Sequence, residues 1–548
     1  MSLNSSSRKI PSLVLAAILG LLYLPVLLIF LRAFFREGNI SLENFRVILT
    51  NPYYGRLLLF TFLQAFLSAL FSLIFALIPA ALFVHFDFPG KKLLLSFTTL
   101  SFILPPILVV LGFVIFWGNK GSVNTLFMEL LHLEKGPFEI LYSFKAIILA
   151  HVFYNIPLAL RFTYNQWATT PRSHYEAARL LGANHRQIFR SVTLPRLTPA
   201  LASAFLIIFL YCFLSFAVIL VLGGGPRFST LEVEIYRQIK FNLDFSLGSA
   251  LAAGETLICL LALLIYFKGP QIKEDISTEE TIPTSKVPLK YLPLLILCLL
   301  TGLIFFGGPM GSLILRSFRY APTRSAEARL SLEWYRQLFS ATSRSGAALT
   351  FQAVKNSLFF ALSTTFTATI VGTGSAFLLH RKKVPPLTEL FLLLPMGISS
   401  IVMALGYLLI STGMERTALF SDLSVILAHS FIALPFVYRS IAGALAQMDR
   451  GLRESALLQG AREIQSLYHI ELPLLIKPLI TGALFSFALS MGEVNAVLIL
   501  APADRITIPI AIYRLIASYN YPGACAMGTL LIIISLAAFY VLDRQDKN

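Results

Sequence analysis

The chain has 548 residues, of which 56% are hydrophobic and 13% charged, and it carries a formal net charge of +16. Soluble globular proteins of this length do not have so apolar a composition, so a membrane protein is predicted. The positive charge does not indicate nucleic-acid binding, because no soluble segment gathers the basic residues on one surface. Apolar runs of about 20 residues recur along the chain and are expected to be helices, because backbone polar groups in lipid must be satisfied internally.

About twelve transmembrane helices are predicted, so the fold class is all-α and polytopic, with two tandem halves of six spans each. The first six spans are predicted at 11–31, 57–84, 93–117, 141–163, 199–222 and 247–267. The other six are predicted at 291–316, 354–380, 387–411, 423–444, 479–500 and 524–542. The first span follows Arg8 and Lys9, but its apolar run is too long for a signal peptide, so we expect an uncleaved anchor.

The basic residues predict the orientation of these spans. The loop with Lys91 and Lys92 and the loop at 381–383 are rich in Lys and Arg, so both are expected in the cytoplasm together with the N-terminus. A polar segment at 268–290, flanked by prolines, is predicted to be a cytoplasmic linker. It divides the chain into a first domain, 1–267, and a second domain, 291–548.

A polar stretch occurs twice, once in each half. Both copies read Glu, two small residues, three further residues, Gly, nine residues, an aliphatic residue, one residue and Leu-Pro. The first copy supplies Glu176, Ala177, Ala178, Gly182 and Pro195. The second copy supplies Glu454, Ser455, Ala456, Gly460 and Pro473. Both copies lie between apolar spans on the predicted cytoplasmic side.

The repetition extends well beyond this stretch. His151 and His429, and likewise Pro157 and Pro435, are separated by the same offset of 278 residues as the two copies. One offset that holds from His151 to Pro195, and so from His429 to Pro473, indicates a duplication. Because each half has an even number of spans, both halves have the same orientation, as in a parallel repeat about an axis along the membrane normal. We therefore expect a path between the halves rather than a bundle without one.

The spacing within the polar stretch predicts a short helix, a turn and a second helix. We expect Glu176 and Glu454 to open the first helix, where a carboxylate favours the positive helix end. The small residues that follow permit close approach of another surface. The two glycines can either end or bend that helix, because glycine tolerates positive φ. The two prolines are expected in the first turn of the next helix, where no N–H bond is lost.

This pattern resembles the EAA loop of ABC importer permeases, the sequence that docks onto the ATP-binding subunit. The first copy matches throughout, and the second departs only at Ser455. The resemblance covers essentially the whole chain and is to fused permeases of thiamine and ferric-iron importers, which carry two permease domains in one polypeptide. It implies a multi-pass protein of the bacterial inner membrane, with an ATP-binding subunit dimer on the two loops and an extracytoplasmic binding protein.

The chain itself is not expected to be an enzyme, and no catalytic residue is predicted. It contains no Gly-x-x-x-x-Gly-Lys-Ser/Thr phosphate cradle, and the glycine run at 223–225 lacks the Lys-Ser/Thr pair. ATP and Mg²⁺ are therefore expected on the partner subunit, with no cofactor bound by this chain. No metal site is predicted either, because the four cysteines are scattered without metal-ligand spacing. They are Cys212, Cys259, Cys298 and Cys525.

Several segments are similar to thiamine importer permeases, among them 150–157, 215–226 and 490–493. Thiamine or its phosphates are therefore expected as cargo, and the flat cationic rings of thiamine suit stacking and cation–π contacts with aromatic side chains. Two alternatives stay open. One is a ferric-iron importer of the same architecture. The other, from a different class, is a secondary transporter with two six-helix halves, which would need ion-coupling residues within its spans.

Polar residues within spans are candidates for the substrate path, because ionisable groups are costly in lipid. The candidates are Ser215, Glu493, His151, His429, Tyr236 and Tyr513. Glu493, the repeat mate of Ser215, either attracts a cation at the axis or makes a structural hydrogen bond to a neighbouring span. His151 and His429 are better explained by helix packing than by cargo contact. Glu255 has no acidic mate and is given no role.

Overall fold

A computed structural model describes residues 9–36, 39–100, 104–269, 285–320, 329–340, 347–381, 386–411, 417–502 and 504–547. Nearly all of these residues are helical, which confirms the all-α prediction. Most of the predicted linker lies outside the described residues.

The described residues contain thirteen α-helices in each half. Those of the first half are α1 (Lys9–Phe34), α2 (Glu43–Thr50), α3 (Pro52–His85), α4 (Lys91–Leu100), α5 (Pro106–Trp117), α6 (Ser122–Leu131), α7 (Phe144–Ala168), α8 (Arg172–Leu180), α9 (His185–Ile188), α10 (Leu194–Phe213), α11 (Ala217–Leu222), α12 (Leu231–Arg237) and α13 (Phe245–Lys268). Those of the second half are α14 (Leu292–Gly302), α15 (Gly308–Phe318), α16 (Glu333–Phe339), α17 (Ala347–Arg381), α18 (Pro386–Leu393), α19 (Ser400–Ile410), α20 (Ala418–Gln447), α21 (Arg450–Leu458), α22 (Glu463–Ser466), α23 (Leu472–Gly492), α24 (Asn495–Leu500), α25 (Ile508–Ala517) and α26 (Tyr521–Lys547).

Six strands of two residues each form three short pairs. They are β1 (Phe35–Arg36), β2 (Asn39–Ile40), β3 (Phe86–Asp87), β4 (Ser285–Lys286), β5 (Arg319–Tyr320) and β6 (Arg329–Leu330). The antiparallel pairs β1–β2 and β5–β6 follow the first span of each half. The parallel pair β3–β4 joins the end of α3 to the start of the second half. The strands are thus local ties between spans rather than a sheet.

Eleven helical segments among the described residues are long and apolar enough to cross a membrane. A twelfth span results if Glu389–Gly397 and Ser400–Ile410, which meet at a bend of 99°, are counted as one. The predicted number of spans is therefore confirmed, but two spans in each half are not the continuous helices that were expected. The third spans divide into α4 and α5 and into α18 and α19, and the fifth spans into α10 and α11 and into α23 and α24.

Local chemistry explains three of these four breaks. Pro105 and Pro106 in the first half, and Pro395 in the second, lack an N–H donor and disfavour helical geometry in the residue before them. In the last broken span, Glu493 accepts hydrogen bonds from the first two N–H groups of α24, at 2.7 and 3.3 Å, and so starts a new helix. Hydropathy does not register such breaks, because the surrounding residues remain apolar.

The first span of each half packs against the other half. Helix α1 contacts α13 of its own half and α19 of the second, whereas α15 contacts α26 of its own half and α5 of the first. A glycine meets a proline at each crossing, Gly406 at Pro25 and Gly112 at Pro309. A Cβ atom at Gly406 would lie 2.5 Å from the Pro25 carbonyl oxygen, so a side chain there would force the helices apart. This exchange of spans joins the two halves into one body.

Corresponding helices form the core of each half. Helices α3, α7 and α10 pack together in the first half, and their counterparts α17, α20 and α23 pack together in the second. Helix α6 has no counterpart among the described residues of the second half, where residues 411–417 separate α19 from α20. The two cores face each other, so the breaks in the third and fifth spans of both halves lie near the centre of the molecule.

Candidate functional site

Each copy of the polar stretch folds as a short helix, a turn and a longer helix. In the first copy, Gly182 ends α8 in the left-handed conformation with φ of +78°. The N–H of Gly182 donates to the Arg179 carbonyl at 2.9 Å, and the N–H of Ala183 donates to the Ala178 carbonyl at 3.0 Å. These two bonds form a Schellman cap. Of the two possibilities that the sequence left open, an end or a bend, the structure has an end with positive φ.

The second copy has the same turn. Gly460 has φ of +88° and donates to the Leu457 carbonyl at 3.1 Å, while Ala461 donates to the Ala456 carbonyl at 3.0 Å. The two copies thus share the backbone hydrogen bonds that end the short helix. Residues 172–195 and 450–473 are named the first and second repeated segments from here on.

The prediction that the glutamates open the first helix is wrong. Helices α8 and α21 begin four residues before Glu176 and Glu454, so both carboxylates lie within their helices. The helix start is set by Pro171 in the first segment and by Asp449, whose side chain accepts a backbone N–H, in the second. Glu176 instead pairs with Arg172 one turn earlier. Both glutamates are exposed.

The two prolines also lie in a different context from the predicted one. Pro195 and Pro473 are the second residues of α10 and α23, but helical turns already precede them from His185 and Glu463. A π-helical turn lies directly before each proline, at 189–193 and 467–471. Such a turn accommodates a residue that cannot donate to the regular helical ladder. Each repeated segment therefore continues into the fifth span without a loop.

Both repeated segments expose a leucine at the end of the short helix. Leu180 is 89% exposed, and its repeat mate Leu458 is 88% exposed. A single exposed leucine is ordinary. What sets these two leucines apart is that the same residue is exposed at the same position of both copies. Leu181 is also exposed, but its repeat mate is the polar Gln459.

A side-chain brace ties each short helix to the base of the fifth span. In the first segment, the Trp167 indole donates to the Tyr175 hydroxyl at 3.1 Å, and this hydroxyl lies 3.1 Å from the Thr193 hydroxyl. In the second segment, Arg453 and Glu471 occupy the positions of Tyr175 and Thr193, with Arg453 Nε 3.5 Å from the carboxylate. Both braces end on the π-helical turn and therefore link the short helix to the first residues of the fifth span.

A cavity of about 260 Å³ lies between the two halves. Its wall contains all four places where spans break: residues 104–106 and 398–400 of the third spans, and residues 214–217 and 492–495 of the fifth spans. Irregular backbone at membrane depth occurs where it is buried in protein or lines a cavity. This convergence of breaks identifies the cavity as the candidate site.

Three of the six predicted path residues line this cavity. They are Ser215, Glu493 and His151. The other three, His429, Tyr236 and Tyr513, do not form part of its wall. Tyr236 is one layer behind, since its ring contacts that of Phe216, a wall residue, with centroids 5.1 Å apart. The assignment of all six predicted residues to a substrate path stays a prediction.

Glu493 both caps the helix that follows it and borders the cavity. Its Oε1 atom accepts the N–H groups of Asn495 and Ala496, so the carboxylate caps α24. The Asn495 amide in turn donates to the Ser400 hydroxyl at 2.9 Å, which joins the two broken spans of the second half. The same carboxylate borders the cavity. The structural hydrogen bond was expected to reach a neighbouring span, but it reaches the next helix along the chain.

The two repeated histidines make different contacts. The His151 ring lies 3.1 Å from the Ser68 hydroxyl and 2.8 Å from the Ser215 hydroxyl, which places it in the cavity wall. The His429 ring lies 2.8 Å from the Ser490 hydroxyl and is buried behind the wall. Hydrogen bonding between helices therefore accounts for both histidines, as expected, while only His151 also reaches the cavity.

Several polar wall residues were missed by sequence reasoning. They are Tyr154, Asn155, Tyr211, Ser399, Ser400 and Asn495. The repeat contains a signal that could have found some of them, because Tyr154 and Tyr211 align with Ile432 and Leu489. Each of these positions is polar in one half only. A position that differs within a well-kept repeat is a candidate for contact with a ligand that lacks the symmetry of the repeat.

The four cysteines are not joined by disulfide bonds in the structure. All four are free, and Cys212, Cys259 and Cys525 are buried. Cys212 accepts a hydrogen bond from the Asn155 amide at 3.3 Å, which is a packing contact between α7 and α10. Among the described residues, no group of three or more His, Cys, Asp or Glu side chains is placed to hold a metal ion.

The family model for the binding-protein-dependent transport system inner membrane component matches residues 70–268 and 368–548. The two matches fall in the two halves of the chain. Each of them contains one repeated segment and the broken fifth span that follows it. The duplication seen in the sequence is therefore a duplication of this family's unit.

Known relatives align with most of the chain. The thiamine transport system permease protein ThiP of Brucella abortus (strain 2308) is 26% identical over 504 residues, which cover 91% of this chain and 89% of that protein. ThiP of Escherichia coli (strain K12) is 26% identical over 525 residues, 92% of each chain. The ferric transport system permease protein FbpB of Actinobacillus pleuropneumoniae is 26% identical over 461 residues, 82% of this chain and 65% of that protein.

Proposed function

The chain belongs to the family of binding-protein-dependent transport system inner membrane components, and we propose that its cargo is thiamine or its phosphates. As a member of this family it is a multi-pass permease of the inner membrane and a non-catalytic subunit of an ABC importer. Family membership decides against the secondary transporter. The observation that carries the proposed cargo is the similarity to ThiP proteins over 91% of this chain and 89% of the relative.

The proposed partner on the repeated segments is a dimer of ATP-binding subunits. Two segments with the same glycine turn and the same exposed leucine suit two copies of one protein, one on each segment. ATP binding would bring these subunits together and move both short helices, and the side-chain braces would pass this movement to the fifth spans. ATP and Mg²⁺ belong to that partner in this proposal, and the permease binds no cofactor.

The central cavity suits the chemistry of thiamine. Tyr154, Tyr211, Phe216 and Phe436 supply aromatic side chains to its wall, and Glu493 supplies a carboxylate. Aromatic faces stack on flat heterocycles and attract cations, and thiamine offers two such rings, one of them positively charged. The cavity lies between the halves, where movement of the two fifth spans against each other would open it to alternate sides of the membrane.

The proposed orientation places the N-terminus and both repeated segments in the cytoplasm. It follows from the Lys and Arg content of the connecting loops. In this orientation α6 of the first half lies on the extracytoplasmic side. An extracytoplasmic binding protein would deliver the cargo there.

Ferric iron is the second candidate cargo, and the FbpB relative is the observation that favours it. The alignment with FbpB covers less of both chains than the alignments with ThiP. Iron would call for oxygen ligands. The wall offers Tyr154, Tyr211 and Glu493, but it surrounds them with apolar side chains. We therefore place iron second.

Uptake into proteoliposomes tests the proposed function. The chain would be purified with the ATP-binding subunit and the binding protein encoded beside it, and accumulation of radiolabelled thiamine would be measured with ATP inside or outside. We expect uptake that requires both ATP and the binding protein. A complex whose ATP-binding subunit cannot hydrolyse ATP is the control. ATP-driven uptake of ferric iron without uptake of thiamine would reverse the order of the two candidates.

A further inference from the structure

A second cleft, with a volume of about 690 Å³, lies where the two halves meet away from the central cavity. The first half contributes the end of α5, the start of α6 and residues 141–142 to its lining. The second half contributes the last turns of α15 together with Arg319 and Tyr521. No residue lines both this cleft and the central cavity. The space enclosed by these residues is named the outer cleft, and it borders the junction where α15 packs against α5.

The outer cleft is positively charged. Lys120 of the first half and Arg316 and Arg319 of the second half line it, and among the described residues Glu129 is the one acidic side chain in its lining. Within the part of the chain that the structure describes, no ion pair or side-chain hydrogen bond involves any of the three cations. Cations gathered in a cleft attract an anion, and the planar fork of an arginine matches the oxygens of a phosphate group.

The surroundings of these cations favour a lipid over a free anion. Arg316 lies in the last turn of the candidate span Leu289–Phe318, and only 6% of the residues in the apolar stretch of this span are buried inside the protein. The span therefore faces lipid, and its end lies at the level of the headgroups. Leu126 and Leu315 also line the cleft and are 54% and 62% exposed. Apolar side chains beside basic ones suit an acyl chain beside a headgroup.

We propose that the outer cleft binds a phosphate group, and that this phosphate belongs to the headgroup of an anionic phospholipid. Arg316 and Arg319 would bind the phosphate oxygens, Lys120 would approach them from the first half, and an acyl chain would lie along α15 beside Leu315. Because cations of both halves would meet one headgroup, the lipid would hold α5 and α15 together at their junction. The outer cleft is separate from the central cavity, so its ligand does not depend on which cargo is carried.

Lipid-induced stabilisation of the purified full-length chain in an uncharged detergent tests this site. The thermal midpoint would be measured with increasing amounts of dioleoyl-phosphatidylglycerol, dioleoyl-phosphatidylcholine, inorganic phosphate and glycerophosphoglycerol, which is the first headgroup without its acyl chains. A ligand that binds only the folded protein raises this midpoint. We expect phosphatidylglycerol to raise it most. Phosphatidylcholine should raise it less, because its ammonium group would face the same cations, and the two compounds without acyl chains should have no effect at the same concentrations.

Neutral substitutions assign the effect to the named residues. With Arg316→Gln and Arg319→Gln combined, the phosphatidylglycerol concentration for half of the stabilisation should rise about tenfold or more, as for lost charge-assisted contacts. Arg32→Gln combined with Lys145→Gln is the matched control, because it removes the same charge from two exposed residues outside the cleft. Arg32, like Arg316, stands two residues before the phenylalanine that ends its helix. Lys120→Gln replaces the first double variant if the midpoint without lipid shows that this variant does not fold.

Equal stabilisation by the two lipids would overturn this site, and so would an unchanged response of the arginine variant to phosphatidylglycerol. If inorganic phosphate or glycerophosphoglycerol stabilises the wild type as well as the lipid does, the cleft binds a free phosphate compound and the lipid assignment is wrong. If the arginine variant keeps its response to the lipid but no longer binds the extracytoplasmic binding protein, the cleft receives that protein and the lipid site is overturned. None of these outcomes involves thiamine, so the lipid site and the proposed cargo can fail separately.

Discussion

The two repeated segments and the two sides of the central cavity come from the same duplication, but they have diverged to different extents. In the repeated segments the glycine turns share their hydrogen bonds, and Leu180 and Leu458 are exposed to the same degree. In the cavity wall, Ser215 in one half corresponds to Glu493 in the other. Matched surfaces suit two identical partner subunits. Unmatched walls suit one ligand that lacks two-fold symmetry.

The side-chain braces, which lie between these two regions, have diverged to an intermediate extent. Tyr175 and Thr193 make a neutral contact in the first half, and Arg453 and Glu471 make a charged contact at the same positions in the second. The geometry has been kept while the chemistry has changed. This is the result expected for a part that must transmit movement but meets neither the partner subunit nor the cargo.

The largest effect is expected from Leu180→Asp combined with Leu458→Asp. If both leucines are buried by partner subunits, two charges there should abolish the ATP-driven uptake, and each single change should weaken ATPase binding about 30-fold or more, as for a residue at the centre of an interface. Co-purification of the ATP-binding subunit measures this. Leu181→Gln is the control, because the second segment already carries Gln459 at that position. Retained association in the double variant would mean that the segments do not dock the ATPase.

The first span of each half crosses a helix of the other half at a glycine, and substitution of these two glycines should destabilise the protein to different extents. At Gly406 an added Cβ atom meets the backbone of Pro25 at 2.5 Å, whereas at Gly112 the nearest atom is the flexible end of Met310 at 2.9 Å. Gly406→Ala should therefore lower the free energy of unfolding by about 1–3 kcal/mol, as for overpacking. Gly112→Ala should have the smaller effect. Denaturation in detergent measures both, and equal effects would argue against the close crossing at Pro25.

Loss of the charged brace should lower the free energy of unfolding more than loss of the neutral brace. Arg453→Ala removes a cation from the buried Glu471 and should cost about 1.5–3 kcal/mol, whereas Tyr175→Phe removes neutral hydrogen bonds and should cost about 1 kcal/mol. The double change Arg453→Tyr with Glu471→Thr copies the first half and should recover stability. Both single variants should also reduce the thiamine uptake per ATP hydrolysed. If a variant loses its brace but keeps this ratio, the brace does not transmit movement of the short helix to the fifth span.

The smallest effect is expected from the serines that contact the two histidines. Ser215→Ala exposes one nitrogen of His151 to the cavity, where water can replace the hydroxyl, so the cost should be about 0.5 kcal/mol. Ser490→Ala leaves a nitrogen of His429 unsatisfied in the buried core, so the cost should be about 1–2 kcal/mol. The free energy of unfolding of both variants checks this order. The reverse order would mean that His429, rather than His151, is the solvated histidine.

The sequence predicted the features that depend on residues close to one another in the chain. Hydropathy predicted the spans, the constant offset predicted the repeat, and the glycine spacing predicted the turns at Gly182 and Gly460. The breaks in the third and fifth spans were missed, because hydropathy averages over them. The predicted position of Glu176 at the start of its helix was wrong, because α8 begins four residues earlier, directly after Pro171.

Features that depend on contacts between distant segments could not be read from the sequence. Glu255 was left without a role because nothing in the sequence shows that its helix, α13, packs against α12 and α19. The exchange of α1 and α15 between the halves is likewise a property of packing. Differences between repeat mates would have identified Tyr154 and Tyr211, but they would not have shown that both face one cavity.

The stoichiometry of the intact complex tests the central comparison most directly. Native mass spectrometry of the chain, purified with its ATP-binding subunit and incubated with thiamine, would count partners and cargo in one experiment. The account predicts two ATP-binding subunits and one thiamine per chain, with one ATP-binding subunit lost when only Leu458→Asp is present. A single ATP-binding subunit on the wild-type chain, or two thiamine molecules per chain, would contradict it.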